Sequence, residues 1–176
     1  MSVIYENGPI HLSDLQNKYK FEPQRTNHFE VTITGLPAEL SLAVNMFSLP
    51  NVTNDPIEIP HQNSRIKFAG QTNFGGAESL EVIDYVGLDT EGMMNDWRKE
   101  VYDPKTDKMG IASVYKKEAT VTEYSPDHEV LRQWKLVGVW CSGVAFGDTL
   151  SMDGSEVKKI TCTIAYDRGY RIEAEE

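Results

Sequence analysis

The chain has 176 residues, of which 40% are hydrophobic and 25% charged, and its formal net charge is −10. This composition is typical of one folded domain with a real core, and it excludes a disordered or membrane-embedded chain. The negative charge argues against a protein that grips nucleic acid phosphates. It is compatible with a surface along which DNA moves without sticking, although plain solubility is the commoner explanation.

Two further classes of protein are not indicated. No apolar run approaches the roughly 20 residues of a membrane-spanning helix, so no membrane association is expected. The N-terminus lacks a basic region followed by an apolar core, so we expect no secretory signal. Cys141 and Cys162 are the only cysteines, and the default expectation for them is two reduced, buried thiols.

The chain divides into an arm, a main domain and a tail. Residues 1–24 are predicted to form an N-terminal arm, with a short helix over residues 13–19 that is too short to be stable alone. Such an arm either frays or docks on something. The main domain is predicted over residues 25–170, and residues 171–176 are expected to form a charged tail.

Three strands and a loop are predicted in the first half of the domain. Apolar and polar residues alternate over residues 29–34, which predicts a strand. A second strand is expected from Leu40 to Leu49, followed by Pro50. The glycine-rich stretch Gly70–Gly76 is predicted to be a loop, and a further strand runs from Ser79 to Val86.

A hairpin is predicted between the second of these strands and the loop. Its arms are the short runs 57–59 and 65–68, and its tip is polar. Pro56 and Pro60 prevent the first arm from being an interior strand, because proline cannot donate to the hydrogen-bond ladder. The hairpin is therefore expected to project from the domain or to lie at an edge.

One helix is expected, from Asp89 or Thr90 to Val101. Either of the first two residues can accept hydrogen bonds from free backbone N–H groups at the N-terminus. Met93, Trp97 and Val101 recur at helical spacing and predict one apolar stripe, which should pack on the sheet. The helix ends before Asp103-Pro104.

Three strands follow the helix, over residues 114–124, 129–140 and 160–167. Trp134, Leu136 and Trp140 are expected on one inward face of the middle strand. Alternation in the last strand predicts a second inward set: Ile160, Cys162, Ile164 and Tyr166. The whole pattern predicts a mainly β (α+β) domain, an antiparallel β-sandwich or small barrel with one flanking α-helix.

No catalytic, cofactor-binding or metal site is predicted. The four histidines lack a second ligand at zinc spacing, and the stretch 103–114 lacks the glycine and glutamate of a calcium loop. No set of residues passes the geometric tests for catalysis, so an enzyme is not expected. A carbohydrate-binding β-sandwich stays open as an alternative, because the chain has three tryptophans, although core packing is the better explanation for them.

Several segments form a series in chain order. They are Asn27-x-Phe29-x-Val31-x-Ile33, Leu49-Pro50 followed by Asn63-x-x-Ile66-x-x-Ala69-Gly70, Trp97 in the helix, Tyr115-Lys116-Lys117-x-Ala119-x-Val121-x-x-Tyr124, Leu136-x-Gly138-x-Trp140, and Ile160-x-x-Thr163-x-Ala165-Tyr166-Asp167. Their order and spacing carry a resemblance to the tail tube proteins of contractile-tailed bacteriophages. It extends over residues 27–167, with one departure, since Cys141 stands where family members often have proline.

The resemblance implies a structural protein of the virion. Six copies would form a ring, and rings would stack into the inner tube of a contractile tail, through which the genome is ejected. Neighbouring subunits would join their sheets into one continuous barrel. The implied partners are the tail sheath, the baseplate or tube-initiator and tail terminator proteins, and, transiently in the lumen, the tape-measure protein and DNA. Assembly would take place in the host cytoplasm, without a cofactor.

Two sets of contact residues are predicted from this resemblance. The hairpin is expected to make contacts between rings, through Ile57, Ile59, His61, Gln62, Asn63 and Arg65. Two polar strand faces are candidates for the lumen: Lys116, Glu118, Thr120 and Thr122, and Lys159, Thr161 and Thr163. The tube of a related contractile injection system, such as a tailocin or a secretion system, stays open as an alternative.

Overall fold

The computed structural model describes residues 23–75, 78–147 and 150–172. The strands within these ranges are β1 (Phe29–Ile33), β2 (Val44–Phe47), β3 (Val52–His61), β4 (Ser64–Phe74), β5 (Glu78–Ile83), β6 (Tyr102–Asp103), β7 (Lys108–Met109), β8 (Lys117–Tyr124), β9 (Val130–Ala145), β10 (Lys159–Ala165) and β11 (Arg168–Ile172). The helices are α1 (Leu40–Ala43), α2 (Thr90–Val101) and α3 (Ala112–Tyr115). The mainly β, antiparallel fold predicted from the sequence is confirmed.

A seven-stranded sheet forms the body, in the order β1-β8-β9-β10-β5-β2, with β11 also paired to β9. The first part of β9 lies between β8 and β11, and its last part pairs with β10. All of these pairs are antiparallel. Among the described strands, β9 is therefore the one that belongs to both halves of the sheet.

Both halves of the sheet enclose one core. Alternate residues of β10 are buried, as predicted, and so are alternate residues of β1, β5 and β8. The buried side chains form a single cluster, whose members on the sheet include Val31, Val121, Leu136, Leu80 and Ile160. Because the inward faces of both halves share this core, their outward faces lie on opposite sides of it.

The predicted helix is confirmed as α2, which closes one side of the core. Asp89 caps it, and its side chain accepts a hydrogen bond from the backbone N–H of Gly92 at 3.2 Å. Trp97 and Val101 of the predicted stripe are buried, Met93 is partly buried against the core, and Met94 beside it is fully buried. The helix α2 packs on β9. The apolar stripe that the helical spacing predicts is the face that meets the sheet.

Trp140 does not face inward as predicted, because Gly138 shifts the alternation of inward and outward residues within β9. Val137 pairs with Glu118 and Val139 with Lys117, so Gly138 is an extra residue, a β-bulge with φ of +72°. Leu136 and Val139 are consequently both buried, three residues apart. Trp140 turns to the outer side, where its ring packs edge-on against Tyr115, with centroids 5.9 Å apart.

The predicted strand from Leu40 to Leu49 is wrong over its first half. Residues 40–43 form one helical turn, α1, in which Leu40 and Ala43 are buried three residues apart. A spacing of three places both side chains on one side of a helical turn, whereas a strand would place them on opposite faces. The strand β2 begins only at Val44.

The predicted loop Gly70–Gly76 is also wrong where the structure describes it. Residues up to Phe74 continue β4 and pair with the first half of β3. Gly70 lies at a register shift, where a side chain would collide with the backbone of Asp55. Glycine serves here as a close-approach residue within a strand rather than as a turn.

Three predicted boundaries differ from those observed. α3 occupies the start of the strand expected from Val114, and β9 extends five residues beyond Trp140, into the expected loop Gly143–Gly154. β11 pairs with β9 and includes residues 171 and 172 of the predicted tail. Residues 173–176 and most of the predicted arm lie outside the described residues. Gln24, at the end of that arm, donates a hydrogen bond to the backbone oxygen of Tyr124 at 2.8 Å.

Substitution Gly138→Ala should lower the free energy of unfolding by about 1–3 kcal/mol. The new methyl group would require a left-handed backbone and would collide with the Asp167 carboxylate, which the Lys116 ammonium contacts at 2.7 Å. Urea denaturation monitored by tryptophan fluorescence measures the loss. Gly143→Ala is the matched control in the same strand, because its added methyl group would enter open space. Equal stability of the two variants would contradict the assigned role of Gly138.

Candidate functional site

The hairpin of β3 and β4 is the most exposed element of the described structure. The two strands, of 10 and 11 residues, pair with each other in a separate two-stranded sheet. The connection has two residues, of which Gln62 has a φ of +52°, as a tight hairpin turn requires. Every residue of β3 is exposed. The sequence-based prediction of a projecting hairpin is therefore confirmed, and the hairpin is longer than predicted.

The two faces of the hairpin differ in chemistry. Ile59 lies opposite Ile66, and Ile57 lies opposite Phe68. These four side chains share one face and are each about half exposed, from 48% to 54%. We call them the apolar hairpin face.

The opposite face of the hairpin is charged. The Glu58 carboxylate contacts the Arg65 guanidinium at 2.9 Å and the Lys67 ammonium at 3.2 Å. Hydrogen bonds from Arg65, and then from Lys67, lower the pKa of Glu58. Such exposed ion pairs contribute little stability, and they keep this face soluble.

An amphipathic hairpin without a third strand is incomplete as a folded unit. A two-stranded hairpin is only marginally stable alone in water. Four half-exposed apolar side chains on one face form the kind of patch that is typical of an interaction surface. The hairpin is therefore a candidate interface.

The structure divides the six predicted inter-ring residues among three places on the hairpin. Ile57 and Ile59 lie on the apolar hairpin face, Arg65 lies on the charged face, and His61, Gln62 and Asn63 lie at the tip. Ile66 and Phe68 were missed as contact residues. Their alternation with Arg65 and Lys67 was the available signal, because residues two apart share one face of a strand.

The first predicted lumen group lies on the outer face of β8 and just before it. The Glu118 carboxylate contacts the Lys135 ammonium at 3.0 Å across to β9, and Glu118 raises the pKa of Lys135. The hydroxyl oxygen of Thr122 accepts a hydrogen bond from Gln133 at 3.2 Å, and Thr122 is buried. Lys116 precedes the strand and contacts Asp167 instead. Lys116 is therefore engaged outside the strand and Thr122 is buried, whereas Glu118 is exposed and Thr120 is partly exposed.

The second predicted lumen group lies on the outer face of β10. The Lys159 ammonium contacts the Glu81 carboxylate at 3.0 Å. Hydrogen bonds from Lys159, and then from Asn45, lower the pKa of Glu81. Thr161 lies opposite Glu81 and Thr163 lies opposite Ser79. This face is polar and carries both signs of charge.

The two predicted lumen groups do not lie together. One is on the β1–β8–β9 side of the core and the other on the β10–β5–β2 side. Because these outward faces are on opposite sides of the shared core, a single narrow channel can be lined by only one of them. The sequence alone offered both faces as candidates without separating them.

Open sheet edges form a second candidate interface. Among the described strands, β1, β2 and β11 each pair on one side only. A groove of about 620 Å³ lies between the edge strands β1 and β2, and Phe29, Met46 and Leu49 contribute to its lining. Unpaired strand edges are ready to pair with another chain.

Neither a metal site nor a membrane span is found in the described parts of the chain. No group of three or more His, Cys, Asp and Glu side chains within residues 23–75, 78–147 and 150–172 is placed to hold a metal ion. No helix in these ranges has the length and apolar character needed to cross a bilayer.

Comparison with known proteins finds matches at the level of structure. No family model and no curated protein sequence matches the chain. The tube terminating cap of the anti-feeding prophage matches with a TM-score of 0.67 and 18% identity, over 86% of this chain and 92% of that one. A chain of the sheath–tube complex of an extracellular contractile injection system, PVC, in its extended state, matches with a TM-score of 0.65 and 16% identity, over 94% and 100% of the two chains.

A third match is the sheath/tube terminator of the PVC system in its extended state. Its TM-score is 0.67 and its identity 17%, over 86% of this chain and 97% of that one. These levels of identity support a common fold. The chain therefore has a fold shared with components of contractile injection systems, and the resemblance predicted from its sequence is confirmed at the level of the fold.

Proposed function

We propose that the chain is the tube subunit of a contractile tail, which assembles into stacked hexameric rings around a channel. The observation that carries the proposal is the amphipathic hairpin, whose apolar face is uncovered in the single chain. The fold shared with tube-terminating components supports it. The function is structural, with no catalytic step.

Within a ring, the open edges of the sheet would join neighbouring copies. β1, β2 and β11 lack a partner on one side among the described strands. Pairing such edges from chain to chain around a ring removes the unpaired N–H and C=O groups by closure. Six chains joined in this way form one continuous barrel with a lumen.

Between rings, the hairpin would reach the next copy and cover its apolar face there. A hairpin of this kind protrudes because its prolines restrict pairing to one side. Ile57, Ile59, Ile66 and Phe68 would form the dry centre of the contact. The polar tip, with His61, Gln62 and Asn63, would form its rim.

In the finer form of the proposal, the tube belongs to a bacteriophage virion and conducts the genome into the host. Its partners are then the tail sheath, the baseplate or initiator, the terminator, and the tape-measure protein and DNA in the lumen. The net charge of −10 supports this form, because an acidic surface does not retain DNA phosphates. The tube of a tailocin or secretion system is the alternative, and the genes adjacent to this one separate the two.

Substitution Ile57→Asp should prevent ring stacking and leave the fold of the single chain intact. A carboxylate in the centre of the dry contact would be desolvated without a partner, which costs several kcal/mol. Negative-stain microscopy and sedimentation would show tubes for the wild-type chain and only single rings or monomers for the variant. Circular dichroism checks the fold.

The matched control is Lys67→Gln, on the charged face of the same hairpin. It should stack normally, because the exposed ion pair with Glu58 contributes little. Normal tubes from Ile57→Asp would refute the hairpin contact. Single rings from the wild-type chain that never stack would indicate a terminator-like cap, and a strictly monomeric wild-type chain at high concentration would refute the proposed function.

Cysteine labelling should reveal which outward face lines the channel. In assembled tubes, one of the variants Thr120→Cys and Thr161→Cys should react with a small maleimide and resist a maleimide attached to a large polymer. The other should have a different reactivity pattern, because the two faces lie on opposite sides of the core. The wild-type chain, whose two cysteines are buried, is the control. Equal access of the large reagent to both positions would contradict the lumen assignment of both groups.

A further inference from the structure

Two thiols meet inside the core, where the proposed tube function makes no use of them. Cys141 on β9 and Cys162 on β10 are free and fully buried. Their sulfur atoms are 3.0 Å apart, with the Cys162 thiol donating to the Cys141 sulfur. Both residues point inward from neighbouring strands, in a diagonal arrangement, since Cys141 pairs with Ile164 and Cys162 with Val144.

Two reduced, buried thiols are the expectation from the sequence, but the spacing of the two cysteines does not require that they touch. Cys141 faces inward because it follows the buried Val139 by two residues in β9. The pairing of Cys141 with Ile164 makes Cys162, two residues before Ile164, its diagonal neighbour on the same inward face. Just after Cys141, the register between β9 and β10 shifts, so Ser142 is an extra residue in β9 and forms a second bulge.

The charge of Arg98 also acts on this pair. Arg98 belongs to α2, which packs on β9, and one of its terminal nitrogens is buried with no hydrogen-bond partner among the described residues. The Cys162 hydrogen bond, and to a lesser degree the Arg98 charge, lower the pKa of Cys141. The hydrogen bond to Cys141, together with burial, raises the pKa of Cys162. The two thiols are therefore unequal: Cys141 is the one that the surroundings favour as a thiolate.

We propose that Cys141 and Cys162 form a switchable dithiol, which hydrogen peroxide converts into a disulfide that links β9 to β10. The Cys141 thiolate attacks one peroxide oxygen and breaks the O–O bond, which gives a sulfenic acid and, after protonation of the leaving hydroxide, water. The Cys162 thiol then attacks the Cys141 sulfur, forms the S–S bond and releases a second water. Overall, two thiols are oxidised to a disulfide and one peroxide is reduced to two waters.

The oxidant must reach this buried pair before the first step. Peroxide is close to water in size, and Gly143, next to the bulge, has open space where a side chain would be. Local opening of the bulge then admits the oxidant without unfolding of the sheet. The covalent link would constrain the long connection between β9 and β10, and so favour the folded state.

The test uses the purified full-length chain, treated with hydrogen peroxide under native conditions and then alkylated in denaturant. The intact mass should fall by two hydrogen atoms, with no alkylated cysteine, and peptide mapping should show a Cys141–Cys162 crosslink. The oxidised chain should have a Tm higher by about 5–10 °C, and a reductant should reverse the shift. A chain that stays fully alkylatable under excess peroxide would overturn the proposal, as would crosslinks between chains only.

Single variants test the order of the two steps. In Cys162→Ser, a sulfenic acid at Cys141 should be trapped by dimedone, whereas in Cys141→Ser, Cys162 should react much more slowly. Arg98→Gln should slow the peroxide reaction of the wild-type pair by about tenfold and leave its product unchanged. The double variant Cys141→Ala/Cys162→Ala is the control for Tm, and it should show no shift with peroxide. Equal trapping at both positions would overturn the assignment of Cys141 as the attacking thiol.

Discussion

The path of β9 is the constraint on which the rest of the structure depends. This strand runs for 16 residues and pairs with β8, β11 and β10 along its length. A strand this long cannot keep one face on a compact core without changing its twist or phase. β9 does so at the bulge of Gly138, where the left-handed backbone inserts one residue and increases the local bend. The shared core between the two halves of the sheet follows from that bend.

The same bulge connects the core to the surface chemistry. It places Leu136 and Val139 inside together and sends Trp140 out to meet Tyr115. It also leaves space for the Asp167 carboxylate, which Lys116 neutralises. The residues near one glycine thus fix the position of α3 relative to the end of β10. Cys141 follows Val139 by two residues and so also faces inward, where its sulfur meets that of Cys162.

The hairpin differs from the main sheet, because it has little to pack against among the described residues of the single chain. Its two strands pair with each other, its charged face is solvated, and its apolar face is exposed. In the proposed tube, burial of this apolar face drives the stacking of rings. Pairing of the open edges of the main sheet drives ring closure. Stability that the monomer lacks would come from the assembly.

The sequence by itself determined the strands and helix whose periodicity is clean, and the likeness to a family of tube proteins. β1, α2 and β10 follow directly from alternation or helical spacing, because each has one buried face and no irregularity. The protrusion of the hairpin followed from its two prolines. Only the tertiary structure determined where the alternation of inward and outward residues is interrupted. The bulges in β9 and the continuation of β4 beyond Gly70 depend on pairing with another strand, and the helical turn at Leu40 depends on which side chains the core buries, so alternation along the chain does not predict them.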